Sequence, residues 1–218
     1  MTSTMNALSD VIPEVAAAFQ APAGSPEQGI SGMPPRTTAA EPASFATPDG
    51  LSLPAIIRED FIRHDRDWTL PGFRAMAVYR FGHWHRTIRF RPIRLIMKRI
   101  HLMMYRYIRN HYGIELRYNA RLGRRVKIEH QGSIVIHGYS RIGDDCVIRH
   151  GVTLGIRSPD RPCHAPVLGK GVDVGAGAKI LGDVVLGDYC RIGANAVVLH
   201  DVPPGATAVG VPARVIMA

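Results

Sequence analysis

The sequence predicts a mostly β protein: a parallel β-helix of hexapeptide repeats preceded by a small α-helical domain. Three observations predict it. An aliphatic residue recurs on a six-residue beat at Leu122, Ile128, Ile134, Ile142, Ile148, Leu154, Leu168, Val174, Ile180, Leu186, Ile192 and Val198. Glycine follows it directly at 123, 143, 155, 169, 175, 187 and 193. Small residues tend to fall four places after it, at Gly132, Cys146, Val152, Ala178, Cys190 and Ala196. Internal periods this short belong to solenoids, and chance alternation in a β-sandwich does not hold one phase over so many hexads.

Each hexad makes one short flat strand and a corner, and three hexads close one triangular coil. The leading aliphatic points inward and stacks on its counterpart a coil away, ~4.8 Å along the axis. Glycine after it is expected to supply corner conformations that a side chain would penalise. The residue at the fourth place also points inward, into limited volume, and so stays small. Ile128 and Ile148 lie three hexads apart once two extra residues are absorbed, expected as a bulge at His137-Gly138. His130 and His150 are then expected at one corner on successive rungs.

Ahead of the hexads, residues 1–50 are dominated by Ala, Pro, Ser, Thr and Gly without sustained periodicity. They read as a tail that burial cannot repay for ordering, with Val11–Phe19 as a short helix at most. Organised sequence begins near Leu51. Ile56–Arg66 reads as a helix broken by Pro71-Gly72, and Phe73–Arg89 and Ile93–His111 read as two more with apolar faces. The expected organisation is a tail (1–50), an α-helical domain (51–112) and a β-helix (113–218) with a loop at 156–167. The 218 residues suffice for a core.

No apolar stretch is long enough to span a bilayer, and the N-terminus lacks a signal-peptide pattern. Three cysteines give no disulfide framework: Cys146 and Cys190 fall on small inward positions and Cys163 in a loop. A reduced, cytoplasmic setting is expected. The formal charge of +9 is concentrated between Arg86 and Lys127, where thirteen Lys or Arg face one acid, Glu115. Three readings stand: a solvated basic helix that helps a polyanionic ligand approach, peripheral membrane contact through residues 93–111, or a nucleic-acid patch. No recognised nucleic-acid module accompanies the third, so no nucleic-acid partner is expected.

With the hexads placed, the chain resembles the serine acetyltransferase branch of the hexapeptide acyltransferases from roughly Asp60 to Ile216. Residues 72–84, opening Gly72-Phe73-Arg74-Ala75 and ending Gly82-His83-Trp84, carry part of the likeness. Gly151-Val152-Thr153-Leu154-Gly155, the run from Gly175 to Gly182, and Val209-Gly210-Val211-Pro212-Ala213-Arg214 carry the rest. Asp173-Val174 stands where the galactoside and maltose acetyltransferase branch has Trp-Ile. The resemblance implies a left-handed parallel β-helix that trimerises, or pairs its trimers, with active sites between neighbouring subunits. It implies acetyl-CoA as acyl donor, L-serine as acceptor, O-acetylserine as product for cysteine synthesis, and no metal. A sugar hydroxyl in polysaccharide or lipopolysaccharide assembly is the alternative acceptor.

An acceptor hydroxyl must lose its proton as it attacks a thioester, and histidine titrates where it can take it. By resemblance that base is His130, within Glu129-His130 where the family has Asp-His. Glu115, fifteen residues upstream, takes the place of the family Asp that orients the imidazole. A corner histidine bonded to backbone and a surface acid relieving the basic stretch are the plain alternatives. The family loop ends Asp-Arg-His-Pro-Lys-Ile, whereas this one ends Cys163-His164-Ala165-Pro166-Val167-Leu168. His164 reaches the acceptor only by a one-residue shift, with Arg161 replacing the missing guanidinium. Asp67 is the nearest match to an acceptor-binding Asp, or else caps a helix end. His150 lines the groove, sits at the subunit interface, or pairs with His130 on a metal, which would need a third ligand. The resemblance lays the donor's pantetheine arm near Ala176 and Ala194, with Gly155, Lys179 and Arg214 toward its carbonyls and phosphates. Lys179 and Arg214 read equally as solvated charges. The sequence stops at Ala218 without the family's C-terminal tail, so no sulfhydrylase complex is expected.

Overall fold

The computed structural model describes residues 51–160 and 163–217; the expected tail at 1–50, the Val11–Phe19 helix and Arg161 lie outside them. Three helices come first: α1 (Leu53–Arg63), α2 (Pro71–Trp84), a 3₁₀ turn at His85–Thr87, and α3 (Arg91–Tyr112). Each opens on a proline in its first turn, where the missing N–H would be unpaired anyway. Pro71 therefore starts a helix. α1 stops at Arg63, short of the expected Arg66, because Asp65 and Arg66 take φ of 58° and 57°. The second helix likewise ends at Trp84 and not at Arg89.

The helices are bonded to the first coil through buried groups. Arg80 pairs with Asp60 at 2.8 Å, both essentially inaccessible. Its other nitrogens donate to the carbonyls of Leu122 (3.1 Å) and Gly123 (2.6 Å). Burial holds the Asp60 carboxyl above the usual range, against the pull of Arg80. The Tyr79 hydroxyl donates to Ala120 O (2.9 Å) and accepts from Leu122 N (3.0 Å). Gly72 lies so near β3 (Lys127–Glu129) that an added Cβ would sit 2.0 Å from Ile128 O. Two residues on from Ile128 is His130.

From Ile114 the chain winds into three faces of parallel strands. The first face stacks β1 (Ile114–Leu116), β4 (Ile134–Ile136), β7 (Thr153–Gly155), β10 (Lys179–Leu181) and β13 (Val197–Val198). The second stacks β2 (Arg121–Leu122), β5 (Arg141–Ile142), β8 (Val167–Leu168) and β11 (Val185–Leu186). The third stacks β3, β6 (Val147–Arg149), β9 (Asp173–Val174), β12 (Arg191–Ile192) and β14 (Thr207–Val209), and β15 (Arg214–Ile216) folds back antiparallel on β14. The beat residues fill the centre as one buried aliphatic column per face. Cys146, Val152, Ala178, Cys190 and Ala196 are fully buried as the small inward residues.

Two expectations are corrected by the register. Ile136, not Ile134, pairs with Leu154 and Leu116, so the two extra residues lie within the corner His130–Ser133, four residues where the next rung has two (His150-Gly151), and not at His137-Gly138. Ile134 then takes the inward slot expected for Gly132, which sits in the bulge at φ 108°. Nor do the glycines after the beat supply left-handed conformations: among the described residues none of them has positive φ. They supply room between rungs instead. A Cβ on Gly143 would lie 2.5 Å from Gly169 O. The left-handed residues come two places later, at Arg125, Asp145, Tyr189 and Asn195 among others. No helix among the described residues is long and apolar enough to cross a membrane.

Candidate active site

The edge where the third face turns into the first gathers most of the expected site. Ile128, Ile148, Val174 and Ile192 are paired rung to rung, so the residues two places on form one ladder: His130, His150, Ala176 and Ala194. Backbone bonds carry the upper rungs round the corner, Gly177 N donating to His150 O (2.9 Å) and Asn195 N to Ala176 O (2.8 Å). On the first rung Gly151 N donates to Gly132 O (2.8 Å) and not to His130 O, so the extra residues push His130 out of the backbone series. The imidazoles of His130 and His150 meet edge to face, 5.7 Å between centroids, and both residues are exposed. His130 takes φ 64° at the head of the His130–Ser133 bulge, where Ser133 also has φ 53°. A bulge beside a functional side chain re-aims it. Left-handed backbone at a non-glycine residue persists only where the surroundings enforce it.

Glu129 is embedded in a line of alternating charge along the third face. Lys127 Nζ lies 3.5 Å and Arg149 Nε 3.2 Å from its carboxylate. Lys127 also reaches Asp65 (3.0 Å), and Arg149 also pairs with Asp173. Neither cation was expected at the site. The register could have found Arg149, since it stands directly across from Glu129 on the next rung.

Glu115 stands on the first face, opposite Val135 and two residues past Gly113, whose carbonyl accepts from Ile134 N (3.0 Å). Its ion pair is with Arg117 Nε at 3.1 Å, not with His130. Lys179, in the outward column of Glu115, gives its ammonium to Gly151 O and to Thr153 Oγ1 (3.2 Å for the latter) and is thereby pinned beside His150. Asp67 closes a turn. Its Oδ1 accepts from Thr69 N (2.7 Å) and Thr69 Oγ1 (2.6 Å), and those bonds hold its carboxyl below the usual range.

The remaining expected residues are elsewhere in the chain. Gly155 ends β7, and the loop after it carries His164, whose Nδ1 lies 3.3 Å from Asp183 Oδ2. That is the edge between first and second faces, so one chain does not bring His164 to His130. Arg214 is exposed at the start of β15. Among the described residues no three His, Cys, Asp or Glu side chains converge as a metal site, and His130 with His150 remains a pair.

Residues 165–200 match the family model described as bacterial transferase hexapeptide (six repeats). A serine acetyltransferase of Helicobacter pylori strain J99 is 41% identical over 169 residues, 76% of this chain and 94% of that protein. The chain belongs to the serine acetyltransferase family. A member from Synechococcus elongatus is 39% identical over 146 residues, 67% of this chain but only 57% of that longer protein. The structure of a serine acetyltransferase in complex with CoA superposes with a TM-score of 0.63 at 34% identity, covering 76% of this chain and 70% of that one. The family's winding makes this solenoid a left-handed parallel β-helix. The His130 ladder therefore runs along one edge of a serine acetyltransferase-type prism.

Proposed function

We propose that this chain transfers the acetyl group of acetyl-CoA to the hydroxyl of L-serine, with His130 as general base. The observation that carries the reading is the ladder: an exposed histidine, held at φ 64° by its bulge, heads a strip that narrows to Ala176 and Ala194. His130 takes the hydroxyl proton as the serine oxygen bonds to the thioester carbonyl carbon. When the tetrahedral intermediate collapses, the C–S bond breaks and the imidazolium returns that proton to the departing thiolate. O-acetylserine and CoA are the products, and no acyl-enzyme forms. Glu115, on the first face, orients and supports the imidazolium.

The small side chains of Ala176 and Ala194 leave room for an extended pantetheine arm in line with His130. Lys179, pinned beside His150, and the exposed Arg214 supply positive charge toward its polyanionic end, and backbone at Gly155 meets it from a second chain. Two edges are needed for this. Gly155 and His164 stand on one edge of a chain, while His130, Glu129 and His150 stand on another. A homotrimer, in which each loop closes over the next chain's ladder, joins them, and pairs of trimers add nothing the site requires. Asp67 is the candidate acceptor-binding carboxylate, with its Oδ1 already accepting from Thr69 N and Thr69 Oγ1. Cys146 and Cys190, buried and unpaired, support a reduced cytoplasmic location.

One observation favours a sugar hydroxyl as acceptor instead. Glu129 is already compensated by Lys127 and Arg149, leaving little net charge for an amino acid's ammonium group. The deciding experiment is thiol release from acetyl-CoA with L-serine and then a panel of sugars. Turnover with serine on the order of 1–1000 per second sustains the proposal. Silence with serine and release with a sugar overturns serine as acceptor while leaving His130 as base.

A further inference from the structure

Helix α3 is joined to the protein by a narrow strip. Of its 22 residues only His101 and Ile108 are buried. His101 packs across α2 so closely that a Cβ on Gly82 would meet its ring at 2.4 Å. Turned away from that strip is a second apolar row, Ile93, Ile96, Ile100, Met103 and Tyr107, spaced 3, 4, 3 and 4 residues apart and therefore on one face. Ile96 is 56% and Met103 66% exposed, and Phe90 just ahead of the helix is 62% exposed. Arg99 and Arg106, three residues beyond Ile96 and Met103, border the row, and Arg91, Arg94, Lys98 and Arg109 continue the basic side. From Arg86 to Ile114 there are eight Lys or Arg and no Asp or Glu. Among the described residues Arg91, Arg94, Lys98, Arg99 and Arg106 form no ion pair.

We propose that this face of α3 docks on an anionic phospholipid surface, with Ile93, Ile96, Ile100, Met103 and Tyr107 in the acyl boundary and Arg99 and Arg106 among the headgroup phosphates. An apolar row bordered by uncompensated cations is the chemistry of a helix lying in the interface plane. The helix is too polar to cross the membrane, so it lies on it. Charge selects the occupant. A second copy would set two acid-free basic helices against each other, Arg99 and Arg106 facing like charge. Nucleic acid would satisfy the cations and leave the apolar row uncovered. An anionic bilayer satisfies both. The docking is independent of which acceptor the enzyme uses.

The test is co-sedimentation of the full chain with equimolar phosphatidylglycerol–phosphatidylcholine vesicles, against phosphatidylcholine alone. The full chain is expected to sediment with the anionic vesicles only, and to be released by high salt. Two surface double variants, Ile96→Ser with Met103→Ser and Arg99→Glu with Arg106→Glu, are each expected to weaken partition roughly tenfold or more. Both should keep the wild-type melting temperature, which separates lost docking from lost fold. Failure to sediment, or sedimentation indifferent to both variants, overturns the proposal. So does a larger oligomer that the Ile96→Ser/Met103→Ser protein fails to form, without vesicle binding, which would assign the face to a second copy. Retention on duplex DNA, lost only on charge reversal and without vesicle binding, would assign it to nucleic acid.

Discussion

At His130 the ring and the backbone are governed by different neighbours. The ring meets His150 and solvent, while the φ of 64° is imposed by the His130–Ser133 bulge and its bond to Gly151 N. Removing the ring therefore leaves the framework in place. His130→Ala is expected to lower kcat by about 10²–10⁴, to leave the KM for acetyl-CoA within about twofold, and to leave the melting curve unmoved. Steady-state kinetics with thermal denaturation checks it, and an undiminished kcat would remove His130 as the base. Glu115 is separable from its ion-pair partner in the same way. Glu115→Gln is expected to cost kcat on the order of tenfold, with Glu115→Asp restoring much of it. Arg117→Ala should leave kcat nearly intact. If Glu115→Gln and Arg117→Ala behave alike, the carboxylate serves Arg117 alone.

Gly72 links an element to the site. The contact of α2 with β3 is backbone to backbone, and neither side can swing away from an added methyl 2.0 Å from Ile128 O. Gly72→Ala is expected to cost roughly 1–3 kcal/mol, read by urea unfolding, and to impair turnover because the displaced strand leads straight into His130. A full-stability Gly72→Ala protein would mean that α2 and β3 slide freely. This seam also marks how far the sequence was legible. The aliphatic beat revealed the coils because an inward column needs an apolar residue on every rung, and the paired beat at Ile128 and Ile148 put His130 over His150. The bulge was misplaced because an insertion at 130–133 or at 137–138 leaves the beat equally regular; only the pairing of Ile136 with Leu154 separates them. The glycines showed where the corners are but not why. Crowding by the next rung, as at Gly143, has no signature within a single hexad. Arg149 was missed because a charged residue on an outward strand position looks solvated until its partner on the neighbouring rung is considered.

Over the whole molecule, buried charge is unevenly shared. The buried polar or charged residues among those described are Asp60, His64, Arg80, His85, His101 and Ser140. All but Ser140 belong to the helical part, while the coils bury aliphatic side chains. Within the helices, burial lowers His101 and the largely enclosed His83 to about 4, and lowers His64 and His85 as well. His101 is surrounded by His85, Tyr105 and Tyr118, and no carboxylate among them offsets its charging. The folded chain thus keeps these imidazoles neutral at a pH where the unfolded chain, with histidines near 6.5, takes up protons. For His83 and His101 that stabilisation is complete above about pH 6.5 and is lost as pH falls toward 4, by up to ~3 kcal/mol each, and His64 and His85 act in the same direction. Asp60, whose carboxyl is raised by burial, acts in the opposite direction and offsets a part of this. Acid should therefore act on the helices first. Helical ellipticity is expected to melt at progressively lower temperature between pH 6.5 and 4, while the β signal of the coils holds, so that one transition divides into two. His101→Gln should flatten that dependence. A single transition at every pH, or a slope unchanged in His101→Gln, would place the acid sensitivity outside this cluster and make helices and coils one cooperative unit.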